Sequence, residues 1–407
     1  MTKKSKIYDV AIIGGGLAGL SLAALLGQSG FNILCIDRED KAKTLTQNFD
    51  GRTTAISYGS AKILTEAGVW DSCEKNSCPI LDIRILDGAS SVLLNFLSHD
   101  VEDRAFGHII ENRLLRQAQY KKIATLKNVI HLDNIIVTDV KMNDDYAHIT
   151  TNEGHEYKAQ LVVGADGKQS FIRKIIDVPH HEWGYNQTAI VCCVDHEKPH
   201  HNVAIEHFLP DGPFAVLPMN DNPATGKHQS SLVWTVHGSD KRMIDCDDDI
   251  FNIALNARFP KEYGAVKLFG KRSFWPLGLS HAHSFIDNRI VIIAEAAHAM
   301  HPIAGQGLNI GMRDIKTLHD LLIDARAQNK DLGSQELLNT YQSMRRIDTS
   351  AMMAATDILN RLFSNKSKVL GLARKIGIKA VNHMPPVKRF FMHQAMGLGF
   401  NIKRYKL

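Results

Sequence analysis

"VAIIGGGLAGLSLAALLG" (Val10–Gly27) decides the fold, and it has two readings. The run is almost wholly apolar and follows three lysines, as a signal peptide or membrane span would. Against that, Asp9 intrudes just before it, and three consecutive glycines sit a third of the way along. No small-residue cleavage pattern follows convincingly. Glycines are poor helix formers but suit a strand-to-helix turn. The second reading fits better. "YDVAII" is a short buried-type strand ending at Gly14, and Gly14-x-Gly16-x-x-Gly19 comes next. An Ala/Leu-rich helix follows, then a second strand, "FNILCID", ending at Asp37.

In this order each piece has a physical task. Gly14 permits a tight turn, Gly16 lets the backbone approach a pyrophosphate, and Gly19 lets helix and strand pack closely. The helix N-terminus, at Leu17 and Ala18, offers unpaired N–H groups and partial positive charge to phosphates. Asp37, 23 residues beyond Gly14, is placed to accept hydrogen bonds from an adenosine ribose, with Arg38 beside it. The segment predicts a dinucleotide site. Alone it does not choose between NAD and FAD.

The chain has 407 residues, enough for two domains or one large discontinuous one. Its 44% apolar and 22% charged content is ordinary for a soluble globular protein. Six cysteines show no CxxC spacing and read as reduced thiols of a cytoplasmic protein. The net charge of +5 hides an asymmetry. Residues 361–407 carry eleven Lys/Arg and no Asp or Glu, which leaves the first 360 at about −6 by the same count. Such a tail is either a solvated basic face or a surface for anionic membrane or an acidic protein. Its aromatics form no nucleic-acid motif, so no nucleic-acid partner is expected.

Two distant segments sharpen the cofactor. "LVVGADGKQSFIRK" (Leu161–Lys174) is an apolar strand followed by Asp166-Gly167, and "NRIVII" leads into "IAEAAHAMHPIAGQGLNIGMRD" (Ile293–Asp314). With the first motif, three strand-ended loops would converge on one elongated cofactor. This pattern resembles the flavin-dependent aromatic hydroxylases. "DGRTTAISYGSAKILTEAGVW" (Asp50–Trp70), "ENRLLRQ" (Glu111–Gln117) and "FLPDGPFAVLPM" (Phe208–Met219) are similar to the ubiquinone-biosynthesis branch of that family. So are "HPIAGQGLNIGMRD" (His301–Asp314) and the tail "MHQAMGLGF" (Met392–Phe400). One departure stands out: where the family often has Gly-Asp before Ala-Ala-His, this chain has Ala294-Glu295.

The resemblance implies an α/β protein like para-hydroxybenzoate hydroxylase. Its Rossmann-like FAD-binding domain would comprise residues 1–76, 101–180 and 273–330. An inserted antiparallel substrate domain would comprise 77–100 and 181–272, and 331–407 would form a helical basic C-terminal region. It further implies FAD contacts from Arg52, Arg113, Asp166, Glu295 and Pro302. Gly305 and Gly307 would let backbone approach the isoalloxazine, with helix N–H groups of Leu308 and Asn309 at its N1–C2=O edge. The implied chemistry is ring hydroxylation of a polyprenylated phenol in ubiquinone biosynthesis. NAD(P)H would be the transient reductant, O2 the co-substrate and a flavin hydroperoxide the oxidant. The basic tail would then serve peripheral contact with the inner membrane surface or with other pathway proteins. An FAD-dependent reductase or oxidase of an isoprenoid, or a non-catalytic pathway partner, are the competing readings.

Histidines invite a metal reading. Glu295, His298 and His301 stand three apart, as on one helix face, but Pro302, Gly305 and Gly307 argue against helix there. The cluster His180, His181, His196, His200, His201 and His207 is irregularly spaced and reads as a polar loop and exposed strand faces. No metal site is expected, and no catalytic acid or base is singled out.

Overall fold

The computed structural model describes residues 6–46, 49–88, 93–101, 103–209, 212–238, 242–300, 305–363, 381 and 383–398. The apolar N-terminal run resolves into strand Ile7–Ile13, a glycine turn, and helix Leu17–Gln28. That helix is apolar nearly all round and buried from Gly19 to Gly27, as a core helix must be.

An eight-stranded sheet carries the first strand at its centre. Ile7–Ile13 pairs in parallel with Glu156–Gly164 on one side and with Ile33–Ile36 on the other. Val129–Leu132 and Ile290–Ile292 extend the parallel set outward. The central strands are continuous apolar runs because helices cover the sheet; Val10, Ile12, Leu161 and Val163 are fully buried. The carboxyl ends of Ile7–Ile13, Glu156–Gly164 and Ile290–Ile292 lie side by side, since Ile13 registers with Gly164 and Gly164 with Ile292. All three loops quoted above therefore leave the sheet at one edge, where ligands bind in open α/β sheets.

A second eight-stranded sheet contains His180–His196, Val203–Leu209, Gly212–Met219, His228–His237 and Val266–Ala282, joined by Asp82–Asp87 and Leu93–Leu97. It is mixed rather than purely antiparallel: Val203–Leu209 pairs in parallel with Asp82–Asp87. The two strands come from segments more than a hundred residues apart, so no tight turn forces them to run oppositely. Strand Val266–Ala282 passes unbroken through the boundary expected at 272/273. Its outer face packs against helix Asp248–Arg258 through Phe251 and Leu255. On the sheet's other face Cys193, Ala204, Phe208 and Met219 meet Ile80, Phe106, Met392 and Met396. A small third sheet comprises Thr53–Ser57, Gly107–Glu111 and Cys78–Ile80. The C-terminal region is helical where described, in Gln335–Phe363 and Pro385–Ala395.

Histidines of the middle segment depart from expectation. His196 and His200 are buried, not exposed: His196 stacks on Tyr263, and its ring nitrogens reach the Lys198 carbonyl and Ser230. The His200 Nε2 reaches the Met219 carbonyl. Burial lowers the pKa of both, which favours the neutral rings that these interior hydrogen bonds require.

Candidate active site

The fingerprint glycines behave as their chemistry demands. Gly14 has φ +106°, and a Cβ there would overlap the Ala165 backbone. A Cβ at Gly19 would overlap the Gly14 carbonyl oxygen, so helix and turn meet without room for even a methyl group. Gly16 is the N-cap of the helix and has open space before it. The first N–H groups of that helix have no intrahelical acceptor and face the opening.

That opening is one arm of a cavity of about 1740 Å³. A single small-molecule pocket is usually ~300–1,000 Å³, so this one has room for a dinucleotide and a second ligand. Gly14, Gly16, Leu17, Ala18, Asp37, Arg38, Arg52, Asp166, Glu295, Gly305, Gly307, Leu308 and Asn309 all line it. Residues from positions 14 to 309 are thus gathered into one site. Gly19 stands behind the wall as a packing residue. Arg113 does not line the cavity: its Nε bonds Glu111 and its guanidinium lies over Phe49. His301 and Pro302 lie outside the described residues.

Arg116, three residues beyond Arg113 on the same helix, does line the cavity. It donates to the Gly15 carbonyl at 3.0 Å, lies 3.5 Å from Asp37 Oδ2 and pairs with Glu39 at 2.7 Å. The signal was helical spacing within Asn112–Ala124: Asn112 and Arg116 are four apart, and both line the cavity. Arg52 is oriented by Asp50, whose Oδ2 accepts from its Nε at 2.6 Å.

Asp166 does two things. Its Oδ2 accepts the N–H groups of Phe171 and Ile172, capping the short helix Phe171–Ile175. Its Oδ1 is buried at the cavity wall without a hydrogen-bond partner among the described residues. Arg173, six residues beyond Gly167, donates to the Ala296 and Lys168 carbonyls and fastens the second loop to the third.

The third loop is held by a buried network that no motif announced. Ala294 has φ +51°, a left-handed conformation in which Gly is at ease and Ala is not. Asp314 Oδ2 accepts the Ala294 N–H at 2.9 Å and lies 2.7 Å from His298 Nε2, while Oδ1 accepts from Arg345 Nε at 2.6 Å. Burial alone would raise the Asp314 carboxyl. The charges of His298 and Arg345, with hydrogen bonds from His298 and Ala294, outweigh it and hold the pKa down to about 2. Glu295 sits in a single 3₁₀ turn and His298 in a two-residue strand, so they share no helix face. His298 is a structural partner of Asp314.

Helix Gln306–Ala327 begins two residues earlier than expected, capped by Gly305 at φ +62°. Asn309 fastens it to strand Thr53–Ser57: its Oδ1 accepts the Ser57 N–H, and its Nδ2 donates to the Ala55 and Gly305 carbonyls. The free N–H groups of its first turn face the cavity, a second helix N-terminus aimed at one ligand.

These features fit FAD. The first loop and Asp37 suit its adenosine and pyrophosphate, and the buried Asp166 Oδ1 can accept a ligand hydroxyl. The second helix N-terminus favours the negative charge of a reduced ring. The remaining arm is apolar, walled by Ile83, Phe96, Phe208, Ala215, Leu217 and Trp275.

Known proteins agree. A family model described as an FAD binding domain matches residues 7–356. Ubiquinone hydroxylase UbiL of Rhodospirillum rubrum is 41% identical, over 96% of this chain and 90% of its own. The mitochondrial ubiquinone biosynthesis monooxygenase COQ6 of Homo sapiens is 31% identical, over 95% of this chain and 92% of its own. Among solved structures, p-nitrophenol 4-monooxygenase PnpA from Pseudomonas putida DLL-E4 superposes with a TM-score of 0.79. That match spans 97% of this chain and 99% of the other, at 19% identity, and bears on the fold alone. The chain belongs to the FAD-binding domain family of flavin-dependent aromatic hydroxylases, in its ubiquinone-biosynthesis branch.

Proposed function

We propose that this protein hydroxylates the aromatic ring of a polyprenylated phenol in ubiquinone biosynthesis. The observation that carries the reading is the two-part cavity, with a glycine-lined polar arm continuous with a long apolar arm. Bound FAD, reduced by NAD(P)H, supplies the redox chemistry: one atom of O2 enters the ring and the other leaves as water. The chain's own residues hold and enclose. Gly14, Gly16, Leu17, Ala18 and Asp37 grip the adenosine diphosphate, with Arg38, Arg52 and Arg116 lending positive charge. Asp166, Glu295, Gly305, Gly307, Leu308 and Asn309 surround the rest of the cofactor. The apolar wall keeps water from the reacting centre and accepts the prenyl chain.

The substrate's hydrophobic tail gives the cavity mouth its meaning. Helix Gln335–Phe363 exposes Met344, Ile347 and Ile358 at 53%, 77% and 62%, an i, i+3 and i+4 stripe completed by Ala351 and Ala355. Ala351, Ala355 and Ile358 also line the cavity, as do the exposed Trp275 and Phe391. This rim rests on an anionic bilayer and takes the substrate from it, with the basic residues of 361–407 adding attraction. Among the described residues no helix is long and apolar enough to cross a membrane.

The test supplies holoenzyme with NAD(P)H, isotopically heavy O2 and ortho-farnesylphenol. Heavy oxygen in the ring is expected; reductant consumption that yields only hydrogen peroxide overturns the reading. The double variant I347E/I358E is expected to lose binding to vesicles containing phosphatidylglycerol, and undiminished binding removes the rim from the docking surface.

A further inference from the structure

One ionisable side chain in the apolar arm stands without a partner. Glu206 lies in strand Val203–Leu209, opposite Ile85 on one side and Ala215 on the other. Alternation sends Val203 and Ile205 to the outer core with Phe251 and Trp234. Ala204, Glu206 and Phe208 face inward, and all three line the cavity. The surroundings of Glu206 are Ile83, Ile85, Phe208, Pro213 and Ala215. No hydrogen bond or ion pair reaches its carboxyl among the described residues. The residue is only partly covered because the cavity itself lies over it.

A carboxyl in an apolar wall loses its water once a ligand fills the cavity, and no group in the protein replaces that water. Such a group is retained where a ligand supplies the missing partner. The other ionisable residues at the cavity wall, Asp37, Arg52, Arg116 and Asp166 among them, are taken up by the nucleotide arm. Resting on the hydroxylase reading, we propose that Glu206 is the catalytic base, accepting the hydroxyl proton of the phenolic substrate.

The step balances within substrate and side chain. The phenol O–H bond breaks and its proton passes to a Glu206 oxygen. The electron pair stays on the phenolic oxygen and enriches the ring carbons ortho and para to it, which become better nucleophiles. When the ring regains aromaticity it loses its own C–H proton to water, and Glu206 returns the borrowed proton to the phenolic oxygen. Burial raises the Glu206 pKa to about 7, so the carboxyl is poised between its two states at neutral pH. Nearby charge does not set this value. Strand Gly212–Met219 has no ionisable residue, and His228–His237 has none between its terminal histidines. Arg84 points outward toward Glu262. Asp87 lies inward two pairs further along, opposite Phe208, and Cys193 is a buried thiol whose pKa burial pushes up.

The test compares wild type, E206Q and E206D as holoenzymes, with FAD content and melting temperature recorded for each. Binding of ortho-farnesylphenol and of its methyl ether to the oxidised protein is followed through the flavin absorbance between about pH 6 and 8. For wild type and E206D, phenol affinity is expected to rise several-fold with pH while the ether stays flat. E206Q should show no such rise and should form hydroxylated product at least ~100-fold more slowly, the scale of a general base. A retained pH dependence in E206Q, turnover within threefold of wild type, or a flat profile in E206D overturns the assignment. The last holds whatever the Gln variant does to folding. Those results leave the hydroxylase reading standing, provided wild type makes product. A wild type that holds FAD yet hydroxylates no prenylphenol overturns that reading and the base with it.

Discussion

Substituting Asp314→Asn tests whether the buried network holds the third cofactor loop. The carboxylate is fully buried and satisfies Ala294, His298 and Arg345 at once. Its pKa falls from 3.8 to about 2, and at ~1.4 kcal/mol per unit this corresponds to about 2 kcal/mol of stability. The sign follows from the depression: the contribution is complete above the unfolded value of 3.8 and disappears as pH falls toward 2. Removing the charge also leaves Arg345 buried, with Asp348, at 2.7 Å, as its one remaining counter-charge among the described residues. Breaking a buried pair on one side costs ~3–5 kcal/mol, and the surviving contact to Asp348 places the total at about 3 kcal/mol. Urea unfolding at neutral pH, followed by circular dichroism and by flavin release, measures this. The difference from wild type should be insensitive to added salt, since the pair is shielded from solvent. Adding R345M to D314N should cost much less than R345M alone. A D314N protein within ~0.5 kcal/mol of wild type, or an R345M cost unchanged in the double variant, would refute the reasoning.

Three further outcomes are expected. G19A places a methyl group on the Gly14 carbonyl, so it should purify without flavin and lose ~1–3 kcal/mol; a fully yellow, equally stable protein contradicts the packing argument. D37A should weaken FAD binding to the apoprotein by roughly ten- to a hundredfold in calorimetry, the worth of a charged hydrogen bond, and an unchanged affinity removes Asp37 from the site. A294G should stabilise the protein by ~0.5–1 kcal/mol in urea, because relief of the left-handed strain exceeds the added flexibility of glycine. Destabilisation would show that the Ala294 methyl packs favourably against the Gly311 backbone.

Legibility differed from residue to residue. Gly14, Gly16, Asp37, Asp166 and Gly305 were readable as cavity-lining positions because turns at strand ends and helix starts constrain the residue type at a fixed distance from a strand end. Arg113 misled because a motif match ignores which way a helix faces, whereas the packing of Asn112–Ala124 turns Arg116 to the cavity. His196, the last residue of its strand, and His200, in the loop after it, misled because spacing does not show that Tyr263, Ser230 and Met219 enclose them. Glu206 was invisible as a site: one Glu in an alternating strand looks like a solvent-facing residue until the other domain covers that face.

The local code of strand, turn and helix, with residue types fixed by dihedral angle and by the reach of a phosphate, was enough to determine the nucleotide fold and the order of its three loops. What the chain's linear order could not contain is proximity between positions from tens to more than a hundred residues apart. Tertiary structure alone placed Asp314 and Arg345 beneath Ala294, sent Arg173 from the second loop to the third, and enclosed a lone carboxyl in an apolar arm. Each of those pairings depends on burial, and burial is set by what packs above a residue rather than by its neighbours in sequence.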